Sequence, residues 1–214
     1  MKIKYFGHSC FLMETRRGTC ILTDPYNGIG YPLPQVRADC VCCTHQHFDH
    51  NYVGGVDGVR QTISDAGEYV FEDVKITGIP AFHDEVNGAK RGRNIVYKFE
   101  ADGVCVCHMG DIGQSPSEQL LGKIGRPDIL LIPVGGTYTV DAAGALEYIG
   151  KIRPRVVVPM HYKTEDCTID IAPADGFIRL CGEQNCEKLD CIDCTDLSVY
   201  ERKIILLRRR NDGR

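Results

Sequence analysis

Three of the seven histidines in this chain and one aspartate fall within six consecutive positions, in Thr44-His45-Gln46-His47-Phe48-Asp49-His50. They directly follow Val41-Cys42-Cys43, an apolar run that reads as a buried strand delivering polar residues at its C-terminal end. In an extended segment His45 and His47 point to the same side and can share one cation. A turn at Phe48 redirects Asp49 and His50 toward a second. A solvated histidine-rich loop is the plain alternative, but uncompensated imidazoles and a carboxylate are costly at a buried sheet end.

The rest of the pattern supplies sheets first and helices later. Residues 2–6, 10–14 and 20–23 read as short strands, the last two joined by a turn through Arg16, Arg17 and Gly18. Residues 69–71 turn at Glu72-Asp73 into 74–79. Residues 94–99 turn at Asp102-Gly103 into 104–107, and Asp-Gly is a strong hairpin signal. Ser115-Pro116-Ser117-Glu118 offers Ser115 as N-cap, Pro116 at N1 and Glu118 at N3 of a short helix that stops near Gly125. Apolar runs 129–132 and 156–158 bracket a helix capped by Asp141 and ending near Ile152, a β-α-β unit. A last helix is expected over 173–180, then strands near 187–191 and 203–207. The sum is an α/β sandwich of two sheets, one domain over 1–207, with a frayed and solvated basic tail over 208–214.

A chain of 214 residues with 43% hydrophobic composition can bury one ordinary core without disulfides. The net charge of −4 gives no overall attraction for a polyanion, which disfavours nucleic acid as a partner. No export signal or apolar membrane span is visible, so a soluble cytoplasmic protein is the expectation. Most of the twelve cysteines then read as free thiols. Cys40, Cys42, Cys43, Cys105 and Cys107 lie in strand-like runs and are expected in the core. Cys181 precedes Cys186-x4-Cys191-x2-Cys194, which matches one iron–sulfur spacing. Its surroundings alternate like a strand, which disfavours a cluster loop.

His45-x-His47-x-Asp49-His50 resembles the signature of the metallo-β-lactamase superfamily, and the likeness extends from Gly7 to about Thr164. Pro80-Ala81-Phe82-His83, His108-Met109-Gly110-Asp111-Ile112-Gly113 and Val158-Pro159-Met160-His161-Tyr162 fall in the order of that family's remaining ligand segments. Gly135-Gly136-Thr137-Tyr138-Thr139 is similar to a family loop. Within the superfamily the chain resembles the branch of small Zn- or Mn-dependent hydrolases that includes ascorbate-6-phosphate lactonase and, more remotely, N-acyl phosphatidylethanolamine phospholipase D.

The resemblance implies a four-layer αββα sandwich of two mixed sheets flanked by helices. It implies that His45, His47 and His83 hold one metal, that Asp49, His50 and His161 hold another, and that Asp111 bridges them. The cofactors are then two divalent ions, Zn2+ first, with Mn2+ or Fe2+ as alternatives. Such a centre activates a water to hydroxide, with Asp49 and Asp111 in catalytic roles. His8, Asp24 and His108 are expected to orient liganding groups through hydrogen bonds. Arg91, Arg93, Tyr138, Tyr162 and Lys163 are candidates for substrate contact. The implied function is metal-dependent hydrolysis of a small anionic ester, lactone or phosphodiester. The alternatives are a nuclease of the same superfamily and a diiron-type oxidoreductase. The diiron relatives carry a carboxylate where this chain has His47. Oligomeric state is left open.

Overall fold

Successive side chains of the first strands are buried on opposite faces, which makes a sheet with two covered faces. The computed structural model describes residues 1–212. β1 (Lys2–Gly7), β2 (Cys10–Glu14) and β3 (Cys20–Thr23) form an antiparallel meander. After the short β4 (Val36–Arg37), β5 (Cys40–Cys42) pairs parallel to β3; after β6 (Val56–Asp57), β7 (Gln61–Ile63) pairs parallel to β5. Ile3, Tyr5, Phe11, Met13, Ile21, Cys40 and Cys42 share the main core, whereas Leu12, Leu22 and Val41 join a second cluster on the opposite face. That period of two is what a sheet covered on both sides requires.

The second sheet begins with two hairpins. β8 (Gly67–Phe71) and β9 (Val74–Phe82) pair around Glu72-Asp73, and β10 (Arg93–Ala101) and β11 (Val104–His108) pair around Asp102-Gly103. Asp102 and Gly103 take φ of 56° and 78°, the left-handed pair that a type I′ turn needs. α1 (Glu118–Ile124) leads to β12 (Ile129–Pro133), and α2 (Ala142–Ile152) leads to β13 (Val156–Met160), so β11, β12 and β13 run parallel. α3 (Asp175–Cys181), β14 (Cys186–Leu189), β15 (Ile192–Asp193) and β16 (Lys203–Leu207) complete the chain.

The six-stranded sheet has the order β15-β1-β2-β3-β5-β7 and the eight-stranded sheet β14-β16-β13-β12-β11-β10-β9-β8. Their facing residues form one core, which Leu120, Ile124, Tyr148 and Phe177 of the helices also join. The layered α/β sandwich with mixed sheets is therefore the fold. The outer face of the six-stranded sheet is covered by Tyr26, Ile29 and Tyr31 of the loop after β3, by the β4–β6 ribbon and by Cys167. Truncating a fully buried aromatic such as Phe99 to alanine costs about 3–5 kcal/mol in a core packed this way.

Four local expectations need correction. The N-cap of α1 is Ser117, whose Oγ accepts from Leu120 N at 3.3 Å, not Ser115. Residues 115–117 have no buried apolar side chain to reward an earlier turn, and the buried stripe starts at Leu120. The last helix begins two residues later than expected, at Asp175, without a side-chain cap. The strand expected near 187–191 is two strands: β14 pairs with β16 in the large sheet, and β15 pairs with β1 in the small one. Cys186, Cys191 and Cys194 are thereby spread between two sheets, and no potential metal-binding group among the described residues contains a cysteine.

The tail is also docked rather than frayed as far as it is described. Arg210 N donates to Tyr5 O, Arg209 lies 4.0 Å over the Tyr31 ring, and its Nη2 contacts Asp166 at 3.1 Å. The final two residues of the expected tail lie outside the described residues. Cys40, Cys42, Cys43 and Cys107 are buried as free thiols and Cys105 partly so. No described helix is long and apolar enough to cross a membrane.

Candidate metal centre

Strand direction gathers the donors. β1, β3, β5, β9, β11 and β13 all end at the same edge of the sandwich, and each is followed there by a polar residue: His8, Asp24, the 45–50 loop, His83, Asp111 and His161. Donor atoms of His45, His47 and His83 lie within 4.8 Å of one another. Those of His8, Asp49, His50 and His161 form a second such group, and Asp111 stands with His45 and His50 in a third. Asp111 Oδ2 is 3.3 Å from His83 Nε2, 3.3 Å from His50 Nε2 and 3.2 Å from His161 Nε2, so it is the common neighbour of both halves. All of these side chains are buried except His47, which stands at the mouth.

Hydrogen bonds on the far side of each ring decide which nitrogen faces inward. Asp24 accepts the Thr44 N–H at 2.7 Å and the Thr44 hydroxyl at 2.8 Å, and its Oδ2 accepts from His50 Nδ1 at 2.9 Å. The Thr44 hydroxyl, already donating to Asp24, can only accept from His45 Nδ1, 3.0 Å away. His83 Nδ1 donates to the Tyr138 carbonyl at 3.2 Å. All three imidazoles therefore carry a proton on Nδ1 and turn Nε2 into the site as the atom left to bind a cation.

Electrostatics follow from burial. Desolvation, then His50, push the His45 pKa down to about 3, and desolvation and His161 push His8 down to about 4. Burial also opposes a charge on His50, but Asp111 and Asp24 outweigh it and raise its pKa. The neighbouring imidazoles hold Asp111 ionised against its desolvation. His45 Nε2, His50 Nε2 and Asp111 Oδ1 are buried without a hydrogen-bond partner. Orphaned lone pairs and a buried carboxylate in one space are what a bound cation satisfies.

The backbone is strained to make this arrangement. His8, Asp24 and His161 take φ of 54°, 42° and 50°, uncommon for residues with a side chain. Gly110 takes φ 55°, and a Cβ there would meet Asn94 Oδ1 at 2.3 Å and Thr44 Cβ at 2.8 Å. Asn94 is the residue that sequence reasoning missed. Its Oδ1 accepts the Asp111 N–H at 3.0 Å and its Nδ2 donates to Met109 O at 2.9 Å, so it shapes the turn that presents Asp111. The available signal was a lone amide inside the otherwise apolar strand Asn94-Ile95-Val96-Tyr97.

The three expected orienting residues separate. Asp24 orients His50 directly. His8 Nε2 lies 3.1 Å from Asp49 Oδ2 and stands among the donors itself. His108 instead contacts Ser9 O and the Gly110 N–H, so it braces backbone and touches no imidazole or carboxylate of the cluster.

A cavity of about 690 Å³ opens over the cluster, lined by Phe48, Arg91, Tyr138 and residues 168–170 as well as by His47, Asp49, His83, Asp111 and His161. Arg93 lies in an adjoining cavity of about 410 Å³. Tyr162 and Lys163 do not take the substrate-facing place expected of them. Tyr162 is buried with its ring 6.3 Å from that of Tyr5, and Lys163 Nζ donates to Ile169 O at 2.7 Å.

Residues 2–161 match the family model described as the Beta-lactamase superfamily domain. The chain belongs to the metallo-β-lactamase superfamily. It is 30% identical over 194 residues to a UPF0173 metal-dependent hydrolase of Thermoplasma volcanium, covering 78% of this chain and 85% of the relative. A UPF0173 protein of Pyrococcus abyssi is 32% identical over 199 residues, 84% of this chain and 90% of its own. In three dimensions the chain is similar to a Thermotoga maritima protein described as a candidate Zn-dependent hydrolase of this superfamily, with a TM-score of 0.79, 36% identity, and 96% and 97% of the two chains covered. The chain is thus a member of the metal-dependent hydrolases of this superfamily and carries a His/Asp cluster of metal-binding type.

Proposed function

We propose that this superfamily member hydrolyses a small anionic ester, lactone or phosphodiester with the help of two divalent cations, Zn2+ in first place and Mn2+ or Fe2+ as alternatives. The observation that carries the reading is the pair of donor groups meeting at Asp111, with the inward Nε2 atoms of His45 and His50 left without protein partners. In this reading His45, His47 and His83 would hold one ion and Asp49, His50 and His161 the other, with Asp111 available to either. When bound, such ions supply Lewis acidity and make hydroxide available near neutral pH.

The chain's own residues do the rest. Asp24, Thr44 and the Tyr138 carbonyl fix the imidazole tautomers, so no reorganisation is needed as charge develops. His8 holds one oxygen of Asp49, leaving that carboxylate oriented to accept a proton or direct the attacking water. The 690 Å³ cavity borders His83 and His161 and leaves room for a small substrate.

The test is elemental analysis of protein purified without added metal, paired with turnover of bis-p-nitrophenyl phosphate and a panel of lactones. About two zinc or manganese ions per chain with turnover of either class supports the reading. Absence of metal, or iron without hydrolysis, overturns it.

A further inference from the structure

Between His83 and β10 the chain makes an excursion that neither sheet nor helix supports, yet it is closely held. Asp84 is buried, and its carboxylate accepts four backbone N–H groups. Oδ1 takes those of Val86 at 3.0 Å and Gly88 at 2.8 Å, and Oδ2 those of Lys90 at 2.9 Å and Arg91 at 2.7 Å. Gly92 N donates to Gly88 O, and His83 N to Gly92 O, which closes the excursion on itself. Asn87, Gly88 and Gly92 take φ of 56°, 83° and 85°, curling the N–H groups around the carboxylate. The loop is therefore a preformed arm built around an internal anion.

What the arm carries is Arg91. Its guanidinium donates to Thr137 O at 3.1 Å and lies 5.5 Å from the centre of the Tyr138 ring, and it forms no ion pair among the described residues. It lines both the cavity over the donor cluster and the adjoining one beside Arg93. Five N–H donors in a planar fork, with one used on a carbonyl, leave a face able to take an oxyanion in two parallel bonds. Phe48 and Tyr138, 58% and 38% exposed, supply apolar surface on the same cavity.

We propose that Arg91 reads an anionic group, carboxylate, sulfonate or phosphate, placed on the substrate away from the scissile bond, and that Asp84 is its positioning residue. The substrate then lies with its reacting bond over the donor cluster, its apolar part against Phe48 and Tyr138, and its anionic end where the two cavities meet. This rests on the hydrolase reading for the meaning of the cavity.

The probe is naphthalene-2-sulfonate, an aromatic anion whose sulfonate is a weak metal ligand, titrated by calorimetry into the full-length, metal-loaded protein. Arg91→Met is expected to weaken binding about tenfold or more, and Arg91→Lys to recover part of the loss. Asp84→Asn is expected to weaken binding as well, and the double variant to bind no more weakly than Arg91→Met alone, a non-additivity that general destabilisation does not produce. Metal content measured on each variant separates loss of the anion site from loss of the cluster. In parallel, the ratio of kcat/KM for mono-p-nitrophenyl glutarate over neutral p-nitrophenyl acetate should fall about tenfold in Arg91→Met, chiefly through KM. No sulfonate binding by the unmodified protein, equal binding by Arg91→Met, or additive losses in the double variant would each overturn the proposal. Reduced binding with neither ester, no lactone and no bis-p-nitrophenyl phosphate hydrolysed would leave Arg91 in place and remove the hydrolase reading. Hydrolysis of both esters at an unchanged ratio would do the reverse.

Discussion

The floor of the cavity and its rim are built in opposite ways. The floor residues His45, His50, His83, Asp111 and His161 stand just beyond strand ends, and each is held from behind by a partner in the sheets or their connections: Thr44, Asp24, the Tyr138 carbonyl, Asn94 and the His8 carbonyl. The rim residues Phe48, Arg91 and Tyr138 stand on loops and are half-buried or exposed. A sheet edge can hold many donors at fixed spacing because its strands are already packed on both faces. Loops can vary without disturbing that frame. On the proposed reading the chemistry is tied to the fold, and selectivity to segments that the fold merely anchors.

The sharpest way to break this division is Asp111→Ala. Asp111 neighbours His50, His83 and His161 at once, so its loss should lower metal content and cut hydrolysis by more than the ~100-fold typical of residues behind the ligands. Turnover within tenfold of the parent, measured at saturating metal, would mean that the floor is not the reacting centre. Next in size is Asp24→Asn, which keeps the volume but removes the charge that accepts from His50 and Thr44. Metal affinity or activity should fall by roughly 10–100-fold. Retention of full affinity in a competition assay with a chelator would show that His50 needs no orienting partner.

The same division marks what could be read from the sequence. Strands 2–6, 10–14, 20–23 and 203–207 were legible because alternation and turn residues are local signals, and the Asp102-Gly103 hairpin for the same reason. The donor cluster was legible because donors must follow strands that end together. Asn94 and Asp84 were not, since each acts on backbone that only the folded chain brings near: Asn94 on the 109–111 turn, Asp84 on its own curled loop. The split of the 187–191 strand into β14 and β15 depends on which sheet edge is free, and the 186–194 pattern carries no trace of that. Tyr162 and Lys163 looked like pocket residues by proximity in sequence to His161. The positive φ at His161 turns the chain so that its neighbours serve packing and a loop carbonyl.

A smaller effect should come from Arg209→Ala, which tests whether the rim is braced from outside. Arg209 covers Tyr31 and reaches Asp166, and Thr168 N donates to Ile29 O, so the tail, the loop after β3 and the 164–170 segment are one packed unit. Because Asp166 is 59% exposed, the ion pair itself adds little and the stacking contact dominates. A loss of about 1 kcal/mol, or a Tm lower by roughly 2–4 °C, is expected in thermal unfolding, with metal content unchanged. A fall in metal content would mean that the floor depends on this outer brace after all.

The mildest effect is a pH dependence confined to the rim. Four N–H donors outweigh the desolvation of Asp84 and lower its pKa from 3.8 to about 2 in the folded loop. The folded state therefore binds fewer protons at this site than the unfolded chain between those values, so the contribution of Asp84 to stability is fully present above about pH 4 and is lost as pH falls through about 2. Amide exchange at Val86, Gly88, Lys90 and Arg91, corrected for the intrinsic pH dependence of exchange, should accelerate over that window while core amides of β12 stay protected. In Asp84→Asn the same amides should already exchange rapidly at pH 6 and show no transition. Equal protection in both proteins would mean that the loop is held by its glycine geometry alone, and Arg91 would then owe its place to Thr137 and Tyr138 rather than to the carboxylate beneath it.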